Sequence, residues 1–228
     1  MGRDHPRLRR TLCLVALTGL LLASVPGPSS LAAGSSLPAW EAGSRRLPQQ
    51  LRERMRGVSW HRGCPVPLRH LRLVRVRYVG FDGDAHRGHL VVNEHQDRNV
   101  MRALHRMYDA RFKIRRMRLI EAYGGSDDAS MADNNTSAFN CRPIAGTDRW
   151  SEHSYGRAID INPVQNPYVR GDTVQPEAGR RYLDREDVRK GMIVRPGSVV
   201  RAFARRGWEW GGDWQSSKDY QHFSSTGG

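Results

Sequence analysis

Between Ser151 and Pro163 the chain reads SEHSYGRAIDINP, and this run constrains the fold more than any other. His153 and Asp160 are seven residues apart. On an α-helix that separation would be a rise of about 10.5 Å. On a continuous strand an odd offset would put the two side chains on opposite faces. They converge only if the chain bends between them, and Tyr155-Gly156 is a natural place for the bend. The expectation is a turn carrying His153, then a strand over RAIDIN with Ile159 and Ile161 on one face and Ala158, Asp160 and Asn162 on the other.

The start of the 228-residue chain has a different character. Arg3, Arg7, Arg9 and Arg10 precede an apolar run from Leu12 to Ala23, and small residues follow up to Ala32 and Ala33. That is the order of a secretory signal peptide, and Arg9-Arg10 also fits twin-arginine export. The apolar run is shorter than the roughly 18 to 20 residues a membrane span needs. Residues 1–33 are expected to be a signal peptide, 34–56 mostly linker with a short helix over PQQLRERMRG, and 57–228 one folded domain. The mature protein is expected to be secreted, extracellular or cell-wall associated, without a stable membrane anchor.

Charge narrows the partners. Lys and Arg number 37 against 23 Asp and Glu, a formal net charge of +14 at pH 7. Such a chain suits an anionic surface such as a cell wall, a membrane surface or nucleic acid. No recognised nucleic-acid motif is present, so nucleic acid is not expected as a partner. Of three cysteines, Cys13 lies in the leader. Cys64 and Cys141 remain, an even pair without a CxxC, and in an oxidising compartment they are expected to form a disulfide rather than stay as two buried thiols.

Along the rest of the chain, RLVRVRYVGF alternates Val74, Val76 and Tyr78 against Arg75 and Arg77, and HLVVN follows after turn residues, so a hairpin is expected. DRNVMRALHRMYDARF repeats apolar residues at Val100, Leu104, Met107 and Tyr108, at helical spacing, with Asp97 as a candidate cap. MRLIEAY reads as a strand, GGSDDASMADNNTSAFN as a long polar loop, PGSVVRAFARRG as a helix from Ser198 to Gly207, and DYQHFSS as a last strand. Asn134 and Asn135 each match a glycosylation sequon. Trp208, Trp210 and Trp214 suit either a cleft wall or the core. The segregated order of strands and helices predicts an α+β fold with an antiparallel sheet and flanking helices.

Among nine histidines, His153 and His222 stand apart, each with an acidic residue close by in sequence. A catalytic zinc takes three protein ligands and leaves a fourth position open. His153, Asp160 and His222 would supply that set.

These residues carry a resemblance. Ser151, His153, Gly156, Ala158 and Asp160 match the SxHxxGxAxD motif of the zinc D-alanyl-D-alanine carboxypeptidase and L-alanyl-D-glutamate endopeptidase family, whose fold is shared with the hedgehog signalling domain. WEWGGDW and KDYQHFS resemble its later motifs, so the similarity runs from about Gly57 to Ser224. The resemblance implies that His153, Asp160 and His222 bind zinc and that Asp219 is the catalytic acid and base. It implies that Arg142 contacts a substrate carbonyl or carboxylate, and that Ser151 assists substrate binding. The substrates it implies are the stem peptides of peptidoglycan. Many carboxypeptidase members have Glu where this chain has Asp219, whereas the endopeptidase branch has Asp, which favours cleavage between L-Ala and D-Glu. The competing expectation is a catalytically silent cell-wall binding module that keeps zinc as structure.

Overall fold

The computed structural model describes residues 1–2 and 37–227; the signal peptide expected over 1–33 and the start of the expected linker lie outside these, apart from the first two residues. From Leu37 onward the described chain is one unit. Strand β1 (Ala42–Arg46) and helix α1 (Gln49–Met55) come first, then β2 (Leu71–Val79) and β3 (Ala85–Asn93). Both neighbours of β2 run antiparallel to it, giving a sheet in the order β1-β2-β3. The hairpin is therefore where the alternation places it. Its loop is tighter than the turn residues suggest, because Ala85 to Gly88 already belong to β3.

The expected linker is part of the packed body. β1 is an edge strand, Tyr108 donates its hydroxyl proton to the Pro38 carbonyl at 2.7 Å, and the Trp40 ring stacks on His105 at 4.2 Å. Leu47, Leu51 and Met55 are buried beside Leu71, Leu73, Val91 and Phe139. Edge pairing is a property of main-chain groups, which polar side chains over 42–46 do not advertise. One consequence is that β2 is covered on both faces at its start. Leu71 and Leu73 meet α1's side, while Val74 and Val76 meet the other core cluster.

Helix α2 (Asp97–Asp109) buries Val100, Ala103, Leu104, Met107 and Tyr108, the stripe its periodicity predicts. Asp97 is not its cap. Gln96 holds that position, and Asp97 sits in the first turn, where its charge suits the helix dipole and its Oδ2 accepts the Ser44 hydroxyl at 2.6 Å. MRLIEAY is strand only at β4 (Arg116–Met117) and then coils into a 3-10 turn over Ile120–Tyr123. The long polar loop is also more ordered than expected. It contains α3 (Asp127–Ala132), capped by Ser126, and β5 (Asn135–Thr136), parallel to β4. Asn134 and Asn135 are buried, with side-chain amides bonded to Gln165 and to Arg118 and Ser130, so neither sequon is presented to solvent.

β6 (Ala158–Asp160) leads into a hairpin of β7 (Tyr168–Arg170) and β8 (Thr173–Gln175). Helix α4 (Ser198–Ala204) packs on α2, and Gly207, at φ +75°, turns the chain out of it. Then follow β9 (Glu209–Trp210), β10 (Lys218–Asp219) and β11 (His222–Ser224). The expected last strand is thus two pieces in different sheets. β10 pairs with β7, and β11 lies between β6 and β9. Antiparallel sheets with a few short helices agree with the α+β expectation. Phe223 of β11 stacks on Phe203 of α4 at 4.4 Å between ring centroids, both fully buried, which fixes β11 to the core.

Met55 tests the revised role of the N-terminal segment. It is 0% exposed, so Met55→Ala should destabilise the protein by about 2–5 kcal/mol in urea denaturation. A linker residue would leave the midpoint unchanged.

Candidate metal centre

Three elements converge. His153 lies on a 3-10 turn, Glu152–Tyr155, whose N-cap Ser151 accepts the His153 N–H at 3.3 Å. Gly156 closes the turn at φ +66°, and a Cβ there would stand 2.6 Å from the Asn93 nitrogen. Position 156 thus needs glycine both for its left-handed backbone and for its close approach to β3. The bend expected from sequence is this one, and it delivers the chain into β6.

Asp160 ends β6 directly opposite His222 of β11. Its own N–H and C=O are both engaged by Ser137, at 2.9 and 3.0 Å. The facing Asp160 and His222 are therefore a non-hydrogen-bonded pair, the closer kind, with side chains brought together. The next residue, Ala138, accepts the Nδ1 proton of His153 at 2.6 Å. Two consecutive residues thus clamp both the strand and the imidazole. The bond also leaves Nε2 of His153 as the unprotonated nitrogen in the neutral ring, facing the cluster.

The resulting distances are short. Nε2 of His153 is 3.1 Å from Asp160 Oδ2, Nδ1 of His222 is 3.0 Å from Asp160 Oδ1, and the two nitrogens are 3.3 Å apart. One ligand atom from each residue lies within 4.8 Å of the others, and all three residues are buried. Burial opposes charge on His153, but the Asp160 carboxylate outweighs it and the imidazole is shifted upward. Burial likewise works against ionised Asp160, yet its two histidine neighbours hold it well below the usual carboxylate range.

Asp219 stands close by on β10. Burial, with Asp160 adding repulsion, pushes its carboxyl up to about 7 although His222 and His153 oppose the shift. Its Oδ1 is buried without a hydrogen-bond partner among the described residues. Behind it the two glycines of WEWGGDW have steric reasons. A Cβ on Gly211 would lie 2.6 Å from the Asp219 carbonyl oxygen and 2.8 Å from its Cβ, and one on Gly212 would lie 2.4 Å from the Trp210 ring. Trp208 and Trp210 belong to the core, whereas Trp214 is half-buried with its ring 5.4 Å from that of His222. The tryptophan alternatives thus divide, with two residues in the core and one beside the His222 ring.

Arg142 is held from several directions. Cys141 is disulfide-bonded to Cys64, as the cysteine count predicts. The Arg142 N–H donates to Ser154 Oγ at 2.9 Å, and its carbonyl accepts from Ser154 Oγ at 2.7 Å and from the Ser151 N–H at 3.1 Å. Its guanidinium pairs with Asp127, a half-buried carboxylate that desolvation shifts upward while Arg142 pulls it down. The sequence reading missed Asp127. Its only signal is the acidic Asp127-Asp128 pair before the SxHxxGxAxD run. Glu152, at the start of the 3-10 turn, points away from the cluster and binds Arg157 at 3.0 Å. His61 also lies near Cys64 and Cys141, but the disulfide leaves no thiolate there.

Two imidazoles and one carboxylate facing inward, with a raised carboxyl beside them, make a donor set of the metal-dependent hydrolase type. Residues 145–225 match the family model described as D-alanyl-D-alanine carboxypeptidase. The matched span contains Ser151, His153, Asp160, Asp219 and His222, and supports the family resemblance read from their motifs. It is shorter than the stretch from Gly57 to Ser224, and Arg142 and both cysteines fall outside it. No curated protein and no solved structure matches the chain.

The Asp219 shift has a thermodynamic consequence. With a folded-state value near 7 against 3.8 as its ordinary value, the native protein retains a proton the unfolded chain has released. Stability therefore falls as pH rises between those values. A cation held by the neighbouring ligands would draw Asp219 back down, so chelator-treated protein is the sample to use. Its denaturation midpoint should drop more between pH 4 and pH 8 than that of Asp219→Asn; equal drops would show that Asp219 is not shifted.

Proposed function

We propose that the protein is a secreted zinc peptidase that hydrolyses peptide bonds in the stem peptides of peptidoglycan, with residues 57–228 as the peptidase region and the packed segment from Leu37 as part of the same body. The observation that carries this reading is the convergence of His153, Asp160 and His222, with His153 locked through the Ala138 carbonyl. The donors fit the metal, since two neutral imidazoles and one carboxylate form a usual zinc ligand set. When bound, zinc would polarise the scissile carbonyl and make a water reactive near neutral pH.

The chain's own residues supply the rest. Asp219 takes the proton of the attacking water on its carboxylate and returns it to the leaving amine. Its burial works against the ionised form and so favours uptake of the proton. Arg142, steadied by Asp127, donates to the carbonyl oxygen as negative charge develops or binds a substrate carboxylate. Ser151 Oγ is an acceptor in its turn and retains its own proton for the substrate. A silent binding module would have no use for the buried, unpartnered oxygen of Asp219, and that atom favours the enzyme.

The finer choices belong to the same proposal. Asp at position 219 favours cleavage between L-Ala and D-Glu over removal of a terminal D-Ala. The motif resemblance favours a hedgehog-like arrangement of the sheet around the centre. Export through the leader suits the Cys64–Cys141 disulfide, since such bonds persist in oxidising compartments.

Metal analysis tests the centre. The mature protein should carry one zinc, and His153→Ala and His222→Ala should each lose most of it; full occupancy in both variants would refute the ligand assignment. Asp219→Asn should keep the metal yet lose about 100- to 10,000-fold in turnover of a defined stem peptide. Near-normal turnover in that folded, zinc-loaded variant would remove Asp219 from the mechanism. Mass spectrometry of digested muropeptides identifies the bond.

A further inference from the structure

An open cavity of about 480 Å³ lies at the far end of α3 from Asp127, and Ala132, the last residue of that helix, is on its wall. Five cationic side chains line it, namely Arg115, Arg116, Arg181, Arg189 and Lys190. Asp133 is the one acid among its lining residues, and it is already paired with Arg116. Like charges gathered around one hollow repel each other unless an anion answers them.

These cations are mounted rather than loose. The Tyr182 ring carries Arg189 at 4.3 Å and Arg181 at 5.2 Å from its centroid. The Phe81 ring carries Lys190 at 5.2 Å and Arg115 at 6.0 Å. Both rings also line the cavity. Cation–π attraction favours each of these charges at its place over the ring. Lys190 is tied further, donating to the Phe81 carbonyl at 3.0 Å, and Arg189 lies 3.2 Å from the Asp187 carboxylate. Arg115 and Arg181 have no ion-pair partner among the described residues, which leaves two planar guanidiniums to bind an anion through paired N–H donors.

We propose that this cavity binds a ligand carrying two or more phosphate groups. Its volume is in the ordinary range for a small-molecule site, about 300–1,000 Å³. With Asp133 and Asp187 offsetting two of the five cations, two phosphates at about −1.5 to −2 each match the remaining excess. Carboxylates would need about twice as many groups in the same space. The proposal stands apart from the peptidase reading, because it concerns binding and uses none of the proposed catalytic or metal-binding residues.

Tripolyphosphate is the probe, titrated calorimetrically into chelator-treated full-length mature protein so that a metal cannot be its target. Arg115→Ala combined with Arg181→Ala should weaken binding at least about tenfold. Both residues are exposed, and the Gln pair provides a second, bulkier variant if the Ala pair is unstable. Arg102→Ala combined with Arg205→Ala, two exposed arginines elsewhere, should change binding by less than about twofold. Hexaglutamate should bind more weakly than tripolyphosphate. Absence of binding, equal weakening by the two double variants, or equal affinity for hexaglutamate would each overturn the proposal.

Discussion

The pairing of β6 with β11 is the interaction on which the site depends. It sets Asp160 across from His222, and because Ser137 occupies the backbone groups of Asp160, the two side chains meet at the closer kind of antiparallel position. A slip of one residue would turn Asp160 to the other face and bring Ile159 or Ile161 to the cluster. The core opposes that slip. Ile159, Ile161 and Phe223 are fully buried, and Phe223 is stacked on Phe203. Hydrophobic burial of the alternate residues therefore holds the polar ones in register.

A second constraint is the concentration of ionisable groups in a buried space. Without a cation, His153 and Asp160 support each other's charged forms, whereas Asp219 is pushed toward its neutral form. Groups whose environments drive their proton affinities apart can divide the work of holding a cation and moving a proton. The supporting structure is mostly backbone and small residues. The Ala138 carbonyl, Gly156 and Gly211 act by orientation or by absence of bulk, which is how a site gains precision without further charge.

The basic composition divides in the same way. Several arginines pair with carboxylates, as Arg142 does with Asp127 and Arg157 with Glu152. Others lie over aromatic rings around the cavity beyond α3. Net charge alone does not show these environments, and Arg189 has both, the Asp187 carboxylate and the Tyr182 ring.

The sequence by itself singled out His153, Asp160 and His222 as a trio, and with them the bend at Gly156, the β2–β3 hairpin, helix α2 and the cysteine pairing. Each is a local pattern or a short count, and its physical cause lies within a few residues or in the chemistry of a single pair. Only the tertiary structure decided that residues 42–56 join the body, that the polar run after Gly124 carries α3 and an Asp127 paired with Arg142, and that DYQHFSS breaks into two strands of different sheets. Those outcomes depend on edge pairing, on burial of polar residues through long-range hydrogen bonds, and on which strand each half of a segment meets. None of them leaves a periodic trace in sequence, because the partners that create them are tens of residues away.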